Sequence, residues 1–148
     1  MSLQVKLMEQ IKTAMKSKDS VALESLRAIK SEILLAQTKG ADVEFGEADE
    51  IKLLQKLVKQ RKDSATIYKE QGRSDLADPE LAQAKIISQF LPVQMNAEDL
   101  KKVISEIITK VGASTIKDMG KVMGMASKEL AGKADGKSIS TTVKELLA

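Results

Sequence analysis

Lys117, Lys121 and Lys128 fall on one narrow face when residues 114–131 are wound as an α-helix at about 100° per residue. Beside them runs a stripe of small residues, Gly120, Gly124, Ser127 and Ala131. A row of ammonium groups neutralises phosphates, and a bare backbone lets a phosphate–sugar chain lie close. Each glycine inside a helix costs about 1 kcal/mol relative to alanine, so something must offset the pair. Two readings fit: close helix–helix packing, or close approach of a nucleic-acid backbone; the stripe is wide enough for both. Downstream, Gly132-Lys133-Ala134-Asp135-Gly136-Lys137 adds Lys133 and Lys137 at a predicted helix start, where backbone N–H groups favour anions. The spacing is not that of a Walker A loop and no strand precedes it, so a nucleotide pocket has no scaffold.

A second group of cations sits where apolar residues are expected. On the helix predicted from Glu47 to Gln71, Ile51, Leu54, Val58, Ala65 and Tyr68 form one seam, and Arg61 falls inside it. A desolvated guanidinium left unpaired costs several kcal/mol. Arg61 is therefore read either as one half of an ion pair with a carboxylate of the first or second helix, or as an anion-binding arginine in a cleft. Lys30 lies within the apolar arc of the second helix, where its long stem can snorkel, and Arg27 lies on that arc's edge with the same two readings.

Common catalytic constellations are missing. The chain has no histidine and no cysteine. It cannot form a Ser-His-Asp triad, a Cys-His pair or a Cys/His zinc site by itself. No carboxylate or lysine pair shows a spacing that demands acid–base work, so no catalytic residue, metal site or cofactor is predicted. Aromatic residues make up 2% of the chain, which removes the stacking platforms used on single-stranded nucleic acid. Any RNA bound here would be read by backbone and shape.

The elements that must position these residues are helices. Hydrophobic residues make up 43% of 148 residues, drawn almost wholly from Leu, Ile, Val, Met and Ala. The period of 3.6 predicts helices over Ser2–Ser17, from Asp19 or Ser20 to Lys39, over Glu47–Gln71, and from Ser74 or Asp75 to Phe90, with a loop at Gly40–Gly46. Leu91-Pro92-Val93-Gln94 reads as a hinge. Asn96 then caps a fifth helix ended by Gly112. A sixth spans Ser114–Ala131, with Ile116, Met119, Met123, Ala126 and Leu130 inward and Asp118 and Glu129 turned away. Asp135 caps a seventh. The prediction is an all-α protein: a four-helix N-terminal domain, 1–92, and a smaller three-helix C-terminal domain, 93–148, joined by a short Leu-Pro hinge. Net charge is +3 and is not concentrated in either part, so charge placement rather than bulk charge must select a partner. No apolar run approaches the length of a membrane span, and the first residues lack the apolar stretch of a secretory signal. A cytoplasmic protein without membrane contact is expected.

Several words in order carry a family resemblance: Leu26-Arg27-Ala28-Ile29-Lys30-Ser31, Lys59-Gln60-Arg61-Lys62-Asp63-Ser64, Gly72-Arg73-Ser74-Asp75-Leu76-Ala77, Leu91-Pro92, Met119-Gly120-Lys121-Val122-Met123-Gly124 and Gly132-Lys133-Ala134-Asp135-Gly136. Through them the sequence resembles the YqeY family along its whole length. Its C-terminal part is also similar to the tail of GatB, a subunit of the glutamine-dependent aminoacyl-tRNA amidotransferase, at Gly120–Met123 and Gly132–Ala134. The N-terminal part is similar to a helical region at the front of certain glutaminyl-tRNA synthetases. The resemblance implies a helical module that holds tRNA, at its elbow or outer corner, while chemistry happens on other domains. The catalytic portion of GatB is not matched. Lys117, Lys121, Lys128, Lys133 and Lys137, with Gly120 and Gly124, would then form the RNA surface, with an aminoacyl-tRNA synthetase or amidotransferase as a further partner. Two alternatives stand beside this reading. One is a helical protein-interaction adaptor with an apolar patch involving Met95, Met123 or Met125. The other is an accessory subunit to a carbon–nitrogen ligase that uses glutamine as amido donor.

Overall fold

The computed structural model describes residues 2–40 and 44–148. Residues 41–43 of the predicted Gly40–Gly46 loop lie outside the described residues. Among the described residues there are seven α-helices, one short 3-10 turn and no strand, so the all-α reading stands. The chain divides into two compact units, Met1–Leu91 and Pro92–Ala148.

The first unit holds α1 (Leu3–Ser17), α2 (Ser20–Thr38), α3 (Glu47–Glu70) and α4 (Ser74–Ser88). Local chemistry sets the ends. Ser2 Oγ accepts from the Val5 N–H at 3.4 Å, and Asp19 Oδ1 from the Ala22 N–H at 3.0 Å. Lys18, at φ +56°, closes α1 in the left-handed region, so α2 turns back against α1 within two residues. Gly72 does the same for α3 at φ +71°. There the Arg73 N–H reaches the Tyr68 carbonyl at 2.7 Å and the Gly72 N–H reaches that of Lys69 at 3.0 Å, the pairing of a Schellman end. Arg73 also forks onto the Asp75 carboxylate, with Nε–Oδ1 at 3.0 Å and Nη2–Oδ2 at 2.9 Å. The Gly72–Ala77 word is thus a turn that launches α4.

The inward seams match the helical period. Leu7 and Ala14 of α1, Leu26, Ile29 and Ile33 of α2, Leu54, Leu57 and Val58 of α3, and Ala84 and Ile87 of α4 form one core. Helix α4 ends at Ser88, two residues before the predicted end; Gln89 and Phe90 continue as a turn.

The second unit holds α5 (Ala97–Val111), a 3-10 turn (Ile116–Asp118), α6 (Met119–Glu129) and α7 (Gly136–Leu147). Asn96 Oδ1 caps α5 by accepting from the Asp99 N–H at 2.8 Å. Gly112, at φ +69°, ends it. Leu100, Ile104 and Ile107 of α5 pack with Val122 and Ala126 of α6 and Ile139, Val143 and Leu147 of α7. The segment after Pro92 is fastened to the loop between α6 and α7. Gln94 Nε2 donates to the carbonyls of Pro92 at 2.8 Å and Gly132 at 2.6 Å, and the Met95 N–H donates to that of Lys133 at 2.9 Å.

One predicted helix needs correction. Residues 114–131 are not one continuous α-helix. Asp118 Oδ2 accepts from the N–H groups of Ser114 at 3.1 Å and Thr115 at 3.3 Å, which folds Ile116–Asp118 into a 3-10 turn and starts α6 at Met119. The inward face is also rotated. Val122, Ala126 and Leu130 are buried, whereas Ile116 is 54% exposed and Met119 and Met123 are only half-buried.

Candidate nucleic-acid interface

Helix α6 buries Val122 and Ala126 and turns its opposite side outward. On that outer side lie Gly120, Gly124 and Ser127, followed by Ala131, and all are exposed. A Cβ built on Gly120 or Gly124 meets nothing within 4 Å. The packing explanation for the glycines therefore fails within this unit, because no neighbouring helix comes near them. Lys121 and Lys128 flank the bare strip, seven residues apart along α6, or about 10 Å.

The remaining lysines come from other elements. Lys117 sits on the 3-10 turn that precedes α6, so the single three-lysine row of an unbroken helix is replaced by two lysines on α6 and one on its lead-in. Lys133 lies in the loop after α6, and Lys137 in the first turn of α7. All of these side chains are exposed, and among the described residues none has a carboxylate within 4 Å. The acidic neighbours are partly engaged. Asp118 is not turned away from the lysines: the N–H groups of Ser114 and Thr115, aided by nearby Lys121, hold its carboxyl below the usual range. Glu129 stands 3.9 Å from Lys110 of α5. At the start of α7 the donors are not all available to an outside anion, because Asp135 Oδ1 already accepts from the Ser138 N–H at 2.6 Å. This part of the surface depends on the lysine charges more than on the helix end.

The cations of the first unit behave differently from one another. Arg27 and Lys30 are exposed and, among the described residues, have no carboxylate within 4 Å. Lys30 stands at the rim of an apolar cleft of about 220 Å³ between α1 and α2, lined by Leu7, Met8, Ile33 and Leu34. Arg61 is half-buried, and the ion pair expected with a first- or second-helix carboxylate is not made. Its Nε donates instead to Gln83 Oε1 of α4 at 3.4 Å. Gln83 was not legible as a partner: it lies 22 residues away on another helix, and a buried glutamine carries no periodic signal. Met95, Met123 and Met125, expected as an exposed patch, are half-buried against the second core. Of the large apolar side chains left exposed among the described residues, Val5, Met8, Met15, Leu34 and Leu35 belong to α1 and α2, and Ile67, Leu76, Val93 and Ile116 lie elsewhere.

Among the described residues no cluster of three or more carboxylates could hold a metal ion, and no helix is long and apolar enough to cross a membrane.

Comparison with known proteins adds the family context. The family model described as Yqey-like protein matches residues 4–147. "Altered inheritance of mitochondria protein 41, mitochondrial" of Meyerozyma guilliermondii is 34% identical over 131 residues, covering 82% of this chain and 65% of that protein. The protein of the same name from Vanderwaltozyma polyspora is 29% identical, covering 76% of this chain and 64% of its own length. That from Clavispora lusitaniae is 33% identical, covering 70% and 61%. The chain thus spans a little under two thirds of the length of these relatives. Their names overturn the cytoplasmic expectation. That expectation rested on a missing secretory segment and a missing membrane span, and neither absence identifies a compartment.

Proposed function

The chain belongs to the family of Yqey-like proteins, and from that premise we propose that it is a non-catalytic RNA-binding module whose second unit grips the outer corner of a tRNA. An aminoacyl-tRNA synthetase or amidotransferase would be its working partner. One observation carries the reading: an added Cβ on Gly120 or Gly124 of α6 would meet nothing within 4 Å, beside lysines that, among the described residues, have no carboxylate within 4 Å. Two helix-weakening glycines on a free surface make sense where another backbone must approach closely. Lys121 and Lys128 on α6, Lys117 on its lead-in turn, and Lys133 and Lys137 on the loop and α7 would contact phosphates. With no aromatic side chain in the second unit, recognition would rest on shape and charge.

The test is a titration with deacylated tRNA at several salt concentrations. A handful of phosphate contacts gives a steep fall in affinity with salt, with a slope of roughly 0.7–0.9 per contact on a log–log scale. Binding too weak to measure at low salt, or binding indifferent to salt, would remove the reading.

A second reading draws on the exposed Val5, Met8, Met15, Leu34 and Leu35 of the first unit, which suit a helical protein-interaction adaptor. A protein partner retained after nuclease treatment, and lost on replacing Met8 and Leu34 with polar residues, would favour it.

A further inference from the structure

The first unit holds a polar cleft that the RNA reading does not use. It measures about 550 Å³ and is a polar-lined groove broadly open to solvent. Glu24 of α2, Arg61 and Asp63 of α3, and Glu80 and Gln83 of α4 line it. Arg61 Nε donates to Gln83 Oε1 at 3.4 Å, a long contact between α3 and α4. Because the Arg61 Nε–H needs an acceptor, the glutamine must present its oxygen to the arginine and its NH₂ group elsewhere. Gln83 is only 9% exposed, yet among the described residues no fully buried side-chain nitrogen or oxygen lacks a partner. Its NH₂ group, for which no protein acceptor is found, therefore reaches solvent in the cleft. The Nη groups of Arg61 likewise have no acceptor within the chain among the described residues. A guanidinium edge and an amide NH₂ thus face the cleft as a set of donors for one oxyanion.

The rim has the opposite charge. Asp63 is held by Lys59 at 2.9 Å, but Glu24 and Glu80 have no cation within 4 Å among the described residues. These two carboxylates repel a lone anion, and phosphate-rich RNA most of all. Arg61 repels a lone cation. A molecule carrying both a carboxylate and an ammonium satisfies both halves. We propose that the Arg61–Gln83 cleft binds a small zwitterion of the α-amino-acid class, its carboxylate on Arg61 and Gln83 and its ammonium toward Glu24 and Glu80. This site is independent of the tRNA proposal, since every residue in it belongs to the first unit.

The test follows the Arg61 Nε–H and Gln83 NH₂ signals by NMR in the full ¹⁵N-labelled chain at fixed ionic strength. The probes are glycine, N-acetylglycine (carboxylate only) and methylammonium (cation only). Glycine should give saturable shifts at both groups, and each single-charge probe should bind at least about tenfold more weakly, as expected when one charge-assisted contact is lost. Glu80→Gln should weaken glycine and strengthen N-acetylglycine. Gln83→Glu places a carboxylate against the guanidinium and should abolish glycine binding while the rest of the spectrum keeps its dispersion. The proposal is overturned if glycine shifts neither signal at tens of millimolar, or if N-acetylglycine or methylammonium binds as well as glycine. Undiminished glycine binding in Gln83→Glu, with the fold intact, also overturns it.

Discussion

Replacing Gly124 with alanine should make the protein more stable and a poorer RNA binder. Gly124 lies in the middle of α6, its φ is not in the left-handed region, and an added Cβ would touch nothing within 4 Å. Alanine therefore brings no strain and no clash, and the change should recover about 1 kcal/mol of helix propensity. Gly120 sits in the first turn of α6, where helix propensity counts for less than in the interior, so Gly120→Ala should give roughly half as much. For a domain of this size, each kcal/mol raises the melting temperature by about 4–8 °C. Thermal melts by far-UV circular dichroism measure the gain. Amide hydrogen exchange in α5–α7 assigns it to the second unit, because Phe45, Tyr68 and Phe90 all precede Pro92 and give no aromatic signal there. The double variant should also lose tRNA affinity several-fold, since two methyl groups would hold a phosphate–sugar chain away from the strip. A neutral or destabilising Gly124→Ala would show that something packs on the glycine. Stabilisation with tRNA affinity fully retained would show that the open strip has no bearing on RNA.

Other consequences can be checked alongside. Lys121→Ala with Lys128→Ala should reduce the salt dependence of tRNA binding by about 0.7–0.9 in slope per lysine, measured by the same titration. Ile104 is fully buried, and Ile104→Ala should destabilise the second core by about 2–5 kcal/mol, seen as lost exchange protection across α5–α7 while α1–α4 stay protected. The Asp118 carboxyl is held below its usual range chiefly by the Ser114 and Thr115 N–H groups. Its contribution to stability is therefore complete above the unfolded value of about pH 4 and disappears on acidification through the lower folded value. The stability difference between the parent and Asp118→Asn should stay flat above that pH and shrink below it in denaturation curves recorded across the acid range.

Helix ends were the most legible part of the sequence where the capping residue stands directly beside the apolar run. Asn96 and Asp135 cap as read, Asp19 rather than Ser20 caps α2, Ser2 stands outside α1 as its cap rather than within the helix, and Gly72 and Gly112 end their helices in the left-handed region. The start of α6 differs because Thr115 caps a 3-10 turn rather than an α-helix, its N–H and that of Ser114 donating to the Asp118 carboxylate downstream. The inward face of α6 was misjudged because methionines at 119, 123 and 125 compete with Val122 for the core, and the smaller, stiffer valine is the one buried. Periodicity found Arg61 in an apolar seam but could not find its partner. A bond between α3 and α4 depends on how two helices face each other, which spacing along one of them does not encode. Sequence spacing also put Lys117 on the same helix as Lys121, whereas the chain changes helix type between them.

The fastening of Gln94 and Met95 to Gly132 and Lys133 bears on how the second unit can be cut from the chain. A fragment begun at Asn96 would keep all three helices and every buried side chain from Leu100 onward, yet would strip acceptors at Gly132 and Lys133 of the groups they now receive. Starting instead at Pro92 retains the clasp, and with it the path of the loop that displays Lys133. A truncation series across those four residues would separate what the helices achieve alone from what the leading strand of polypeptide adds.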